Sequence, residues 1–199
     1  MLDPFYPIVD TALWVERLTR AGARLIQLRI KNRPEAAIRR EIRQALVACK
    51  AHGATLVVND AWHLAIAERA DWVHLGQEDL DTADLGAIRA ARLKLGVSTH
   101  DEAELARALA ISPDYIALGP IYPTSAKTVP FAPQGLDRIA EWKRTIRAIP
   151  LVVIGGITLE RAPLCLSAGA DSVAIISDVV LHADPETRCR DFIAATRRC

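Results

Sequence analysis

Aromatic residues make up only 5% of the 199-residue sequence, so its core must be built largely from Ala, Val, Ile and Leu. Such a composition suits a parallel sheet covered by helices on both faces, whose strands read as short aliphatic runs. An excess of one charge sign is also lacking, because 25 Lys+Arg against 24 Asp+Glu leave a formal net charge of +1. There is thus no electrostatic case for nucleic acid as a partner, and the 51% apolar content excludes a disordered chain. No apolar run approaches the ~20 residues that span a bilayer. The opening MLDPFYPIVD carries acids where a signal peptide carries Lys or Arg. A cytoplasmic protein with no membrane partner is expected, and a homo-oligomer is neither specified nor excluded. Cysteines are few: Cys49, Cys165, Cys189 and Cys199 form no CxxC and no Cys/His cluster of metal-ligand spacing, which points to ordinary thiols.

What the sequence does contain is a recurring unit of a short β-branched run, a polar or glycine-bearing turn, and a helical stretch. The runs are Tyr6 to Val9, Leu25 to Leu28, Leu56 to Val58, Trp72 to Leu75, Leu95 to Val97, Tyr115 to Leu118, Leu151 to Ile154 and Val173 to Ile176. The clearest helical segment is Pro34 to Lys50, where Ile38, Ile42, Leu46 and Cys49 recur at four- and three-residue spacing. Others are Thr11 to Ala21, Leu64 to Ala70, Thr82 to Leu93, Glu102 to Ala110, Leu136 to Ala148, Leu159 to Ala168 and Pro185 to Arg198. Eight strand-helix units favour a closed (β/α)8 TIM barrel over an open doubly wound sheet, since no GxGxxG opens the first helix. Such barrels run from ~200 to ~400 residues, so one minimal-length barrel over residues 1–199 is expected, with no linker to mark a boundary. The connection from Gly119 to Gly135, rich in Pro, Thr and Ser, is long enough to suggest function.

Catalytic residues of such barrels gather at the C-terminal ends of the strands, and here the residue types are far from random. Strand two ends in Gln27, Arg29 and Lys31, strand three in Asn59 and Asp60, and Gly76, Gln77, Glu78 and Asp79 follow strand four. Strand five ends in Ser98, Thr99 and His100. The sixth feeds Thr124, Ser125 and Lys127; the seventh ends in Gly155 and Gly156, the eighth in Ser177 and Asp178. Asp60 and Asp79, from adjacent strands, offer oxygen ligands to a hard divalent cation such as Mg2+. Arg29, Lys31 and Lys127 would surround them, with Asn59 and Ser98 as neutral donors. Acids among several cations make sense if a diphosphate and its metal bridge them. Taken singly, Arg29 and Lys31 also fit solvated residues, and Asp60 fits a helix cap. Gly155-Gly156 with Ser177 suggests a second anion site of backbone amides, or else only a tight turn. His100 stands near the mouth, where helix entry explains it better than catalysis. No Ser/His/Asp set or paired Glu is evident. Two phosphorylated small molecules joined with loss of diphosphate is the chemistry this constellation suggests.

IQLRIK at 26–31, VVND at 57–60, HLGQEDL at 74–80, LGVSTH at 95–100, ALGPIYPTSAK at 117–127, APQGL at 132–136, IGGIT at 154–158 and AIIS at 174–177 together resemble the motifs of the thiamine phosphate synthase family. The match runs in order along nearly the whole chain. HLGQEDL followed by GVSTH is its most specific part. The resemblance implies a transferase that joins 4-amino-2-methyl-5-(diphosphooxymethyl)pyrimidine to 4-methyl-5-(2-phosphooxyethyl)thiazole, or its carboxylated form, by a dissociative substitution. By matched motif, the segment Gln27, Leu28, Arg29, Ile30 and Lys31, with Asn59, Ser98 and Lys127, would hold the pyrimidine diphosphate. Arg29, Lys31, Ser98 and Lys127 would assist the departing diphosphate. Asp60 and Asp79 would bind Mg2+, while Thr124, Ser125, Ala126, Gly156, Ile176 and Ser177 would receive the thiazole phosphate. Three positions depart from the commonest pattern. Ala126 replaces a Thr, so weaker thiazole phosphate binding with chemistry retained is expected. Ile30 replaces a Glu and should point away from Arg29 and Lys31. Asp178 is unexpected beside a phosphate unless it turns toward a helix. The alternatives are a thiazole tautomerase, a non-catalytic phosphate-ligand binder, and an isomerase among the phosphate-binding barrels. The two acids with three cations argue against the first two, and the lack of an acid-base pair argues against the third.

Overall fold

In a computed structural model, residues 2–124 and 131–197 are described. Eight parallel strands close into a barrel in sequence order, β1-β2-β3-β4-β5-β6-β7-β8, with β1 paired to β8. They are β1 (Phe5–Val9), β2 (Leu25–Leu28), β3 (Thr55–Asn59), β4 (Trp72–Leu75), β5 (Lys94–Thr99), β6 (Tyr115–Leu118), β7 (Leu151–Ile154) and β8 (Ser172–Ile175). Every expected strand is present.

The helices are α1 (Ala12–Arg20), α2 (Glu35–His52), α3 (Trp62–Ala67), α4 (Gln77–Leu80), α5 (Leu85–Ala90), α6 (Glu102–Ala110), α7 (Gly135–Ile146), α8 (Ala162–Ser167), α9 (Ser177–Val180) and α10 (Pro185–Thr196). The short turns α4 and α9, which follow β4 and β8, were not expected, because four residues are too few to display a 3.6-residue period. Side-chain caps begin α1, α5, α6 and α10, where Thr11, Asp84, Asp101 and Asp184 accept from backbone N–H groups three residues on. Helix α2 buries Ile42, Ala45, Ala48 and Cys49, with Ile38 and Leu46 packed beside them.

Strand side chains alternate between two apolar regions. The larger lies between sheet and helices and takes Phe5, Val9, Ile26, Leu28, Val58, Val73, Leu75, Val97, Ile116, Val153 and Val173. The smaller fills the barrel interior with Tyr6, Ile8, Leu25, Val57, Tyr115, Ala117, Val152 and Ala174. The interior is therefore polar only where an inward position of a strand carries a polar side chain. Gln27, Asn59, His74 and Ser98 occupy such positions, and all four border one cavity. Ring packing inside the barrel depends on Gly96, which lies between His74 and Tyr115 in the strand register. A Cβ there would stand 2.0 Å from Tyr115 Cζ, so only glycine lets the Tyr115 ring cross β5 and stack on His74 at 5.5 Å.

Candidate active site

The strand ends and their loops enclose a cavity of about 1170 Å³, large enough for two small-molecule substrates together. At its floor a chain of hydrogen bonds crosses the barrel. Gln27 Nε2 donates to the Tyr6 hydroxyl at 2.9 Å, which lies 3.1 Å from the Tyr115 hydroxyl. The latter is 2.7 Å from His74 Nδ1, and His74 Nε2 is 2.8 Å from Ser98 Oγ. Burial pushes both tyrosine hydroxyls well above the usual phenol range, so they stay protonated. Two proton orders satisfy the remaining chain. In one, Tyr6 donates to Tyr115, Tyr115 to Nδ1, and Nε2–H to Ser98, whose own hydrogen then points toward the mouth. In the other, Ser98 donates downward and turns lone pairs outward. An anion at the mouth selects the first.

Asn59 is 8% exposed, borders the same cavity, and its Nδ2 has no hydrogen-bond partner among the described residues. A buried donor left unmatched costs ~1–3 kcal/mol, which makes this amide a candidate donor to an acceptor on a ligand. Above the floor stand the charges. Asp60 adopts a left-handed conformation, φ 60°, and its backbone N–H bonds to the His74 carbonyl, which directs its carboxylate to Lys31. It does not cap α3, whose N-cap is Ala61 without a side-chain bond. The Asp79 carboxyl lies within hydrogen-bonding reach of Asp60. Burial first, and then the neighbouring Asp60, raise the Asp79 pKa above the usual carboxylate range, while Lys31 and the Gly76 backbone pull it down. Helix α4 carries Asp79 and is pinned by Gln77 Nε2 donating to the Ser98 carbonyl at 2.6 Å and by Arg107 bonding Asp81 at 2.6 Å.

Gln27, Arg29, Lys31, Asn59, Asp60, Asp79, Ser98, Thr124, Gly156, Ile176 and Ser177 all line the cavity. Leu28 and Ile30 do not: Leu28 is buried between sheet and helices, and Ile30 packs on the same region. Strand alternation turns Leu28 outward and Ile30, two residues on, packs against the same region, so contact of these two with a substrate would run through their backbone. Ser125, Ala126 and Lys127 lie outside the described residues. Gly155 and Gly156 have φ of 101° and 63°, and a Cβ on Gly156 would sit 2.4 Å from the Pro123 carbonyl oxygen. The turn thus requires both glycines for the close approach of 120–123, whatever binds above. Asp178 does turn toward a helix: it accepts from Leu159 N–H at 2.9 Å and from Arg188 of α10 at 2.7 Å. His100 bonds Glu104 at 2.7 Å and stacks on Phe131, so it is held rather than poised. Burial raises the thiols of Cys49, Cys165 and Cys189 to between about 11 and about 12, which makes them unreactive at neutral pH. The sequence reading missed two contributors. His74 was legible as inward-facing from its alternation with Val73 and Leu75, but its bond to Ser98 was not. Arg161, on the turn before α8, also borders the cavity and left no signal in the motif.

Comparison with known proteins decides the family. Residues 5–179 match the family model described as thiamine monophosphate synthase. The chain belongs to that family. It is 58% identical over 195 residues to the thiamine-phosphate synthase of Rhizobium etli, covering 98% of this chain and 96% of that one. The thiamine-phosphate synthase of Salmonella agona is 50% identical over 179 residues, covering 90% and 85%. Among solved structures, the thiamine phosphate pyrophosphorylase from Pyrococcus furiosus superposes with a TM-score of 0.86 at 28% identity, covering 98% and 96%. A 3-hexulose-6-phosphate synthase, at TM-score 0.67 and 17% identity, shares the fold alone. Membership of the thiamine monophosphate synthase family makes the chain a transferase of thiamine biosynthesis. No described helix is long and apolar enough to cross a membrane.

Proposed function

We propose that the chain joins 4-amino-2-methyl-5-(diphosphooxymethyl)pyrimidine to 4-methyl-5-(2-phosphooxyethyl)thiazole, or its carboxylated form. The bond from the exocyclic CH2 to the diphosphate oxygen breaks with its electron pair leaving on diphosphate. The thiazole nitrogen lone pair then forms the new C–N bond, giving thiamine phosphate, with the ring carboxyl group lost as CO2 when the carboxylated thiazole is used. The observation that carries this reading is the floor of the cavity: an unmatched Asn59 amide, the Gln27 side chain and the Ser98 hydroxyl face one space beneath Arg29 and Lys31. Neutral donors suit a polar heterocycle, and the cations above suit its diphosphate.

The donor set also fits Mg2+. Two adjacent carboxylates with no third acid or imidazole among the described residues make a poor all-protein cage. They match the usual Mg2+ site, in which one or two carboxylates share the ion with water and substrate phosphates. Asp60 and Asp79 would hold it, and when bound it would neutralise part of the charge on the leaving group. The protein residues have their own tasks. Arg29 and Lys31 attract the diphosphate and lower the barrier to its departure by stabilising the charge it gains. Ser98 donates to an oxyanion while His74 fixes its direction. Cavity walls position the thiazole for capture of the cation before water reaches it.

Mixing both substrates with MgCl2 and measuring thiamine phosphate and diphosphate tests the reading. Equal amounts of the two products are expected, with turnover lost on adding EDTA or in Asp79→Ala. No product in the presence of metal defeats the proposal, and wild-type turnover in Asp79→Ala defeats the metal assignment.

A further inference from the structure

Among the described residues, three Lys or Arg side chains line the cavity. Arg29 and Lys31 share the loop after β2. The third, Arg161, stands on the other side, in the turn between β7 and α8, where its backbone N–H bonds to the Thr158 carbonyl. Its guanidinium is fixed by two contacts. Nη1 donates to the Gly156 carbonyl at 2.6 Å, and the group lies over the Tyr122 ring, 4.4 Å from its centroid. Neither contact cancels its charge. A carbonyl occupies one of five N–H donors, and a ring face accepts a cation while leaving its edge open to an anion.

The acids nearby are accounted for. Asp178, which lines the cavity on this side, is committed to Arg188 and to the Leu159 N–H. Glu160 feels the field of Arg161, but its side chain is 75% exposed and makes no ion pair with it. His182 lines the same side and is bonded to the backbone of Asp184. A pre-positioned, uncompensated cation therefore faces the half of the cavity that also holds Gly156, Ser177 and Thr124. Those neighbours offer only neutral donors, so an anion there would otherwise have no counter-charge from the described residues.

We propose that Arg161 binds the phosphate of the thiazole substrate and is a specificity-determining residue that makes the enzyme require that phosphate. The assignment rests on the proposed reaction. Its two substrates carry anionic groups at opposite ends, and the cavity carries cations at opposite ends in the same way. Tyr122 and the Gly156 carbonyl act as the seat that holds the guanidinium in one orientation.

Steady-state kinetics of wild type, Arg161→Met and Arg161→Lys test this with two thiazoles, the phosphate ester and the corresponding alcohol. Loss of a hydrogen-bonded charge partner predicts a rise of about 10- to 100-fold in KM for the thiazole phosphate in Arg161→Met. The KM for the pyrimidine diphosphate stays within about twofold by the same reasoning, which doubles as evidence that the variant is folded. Arg161→Lys recovers part of the loss. With the alcohol, wild type and Arg161→Met behave alike. An unchanged KM for the phosphate ester in Arg161→Met, or an equal rise for ester and alcohol, overturns the assignment while the reaction itself stands. Failure of the wild type to form thiamine phosphate overturns the proposed reaction instead.

Discussion

Replacing Tyr115 with Phe deletes one oxygen atom from the barrel interior and cuts the hydrogen-bond chain at its midpoint. Tyr115 is fully buried, and its hydroxyl joins His74 Nδ1 at 2.7 Å to the Tyr6 hydroxyl at 3.1 Å. Both partners keep a second bond, Tyr6 the one from Gln27 and His74 the one to Ser98, so neither is stripped completely. Two interrupted buried bonds at ~1–2 kcal/mol each give a loss of about 2–4 kcal/mol. Against a total of ~5–15 kcal/mol the variant remains folded. For a chain of this length the loss corresponds to a drop in Tm of about 5–15 °C, readable in a thermal melt. Kinetics carry the more specific expectation. With the bond from Tyr115 to Nδ1 gone, His74 is less strongly held with its proton on Nε2, so its remaining bond to Ser98 turns the Ser98 hydrogen to the mouth less often. Turnover therefore falls in Tyr115→Phe, but falls no further when the same change is made in Ser98→Ala. Fully additive effects in that double-mutant cycle would refute the relay, and a wild-type Tm would refute the stability estimate.

Asn59→Ala removes a buried donor that has no partner among the described residues, so Tm should hold or rise while turnover drops by about tenfold or more. A parallel fall in both would mean the amide is a structural group. Asp79 has a folded pKa raised by burial and by Asp60, so its neutral form favours folding and its charged form opposes it. The metal-free protein should accordingly lose stability as pH rises through the folded pKa of Asp79, relative to Asp79→Asn, with no difference below the unfolded value. Urea midpoints of both proteins with EDTA, measured from acid to neutral pH, check the sign. A difference that shrinks as pH rises would contradict it.

Much of this molecule was legible because barrel strands advertise themselves. Each β-strand is a short aliphatic run, and the outward residues Ile26, Leu28, Val73, Leu75 and Val153 must be apolar to meet the helices. Helix α6 runs over the expected Glu102 to Ala110, with Asp101 capping it and Arg107 in its last turn. The cavity-lining residues at strand ends were readable for the same reason: polar residues that interrupt such runs have little reason to be there except the mouth. Helices α4 and α9 were too short to show a period, and α8 begins later than expected because Thr158 to Arg161 first form a turn.

By itself, then, the sequence determined the eight-unit alternation, the closed barrel and the motif residues, since these depend on local pattern and on which face of a strand a residue takes. Only the tertiary structure decided which of those residues meet. The bond from His74 to Ser98 links neighbouring strands, the crossing of Tyr115 over Gly96 depends on register, and Gln27 reaches the chain through Tyr6 on another strand. Arg161 is the clearest case: nothing around it in the sequence marks a ligand residue. Its position follows from a ring at 122 and a carbonyl at 156, brought together by two loops whose approach requires glycine. Contacts between loops on different strands are set by closure of the barrel, and no local period in the chain records them.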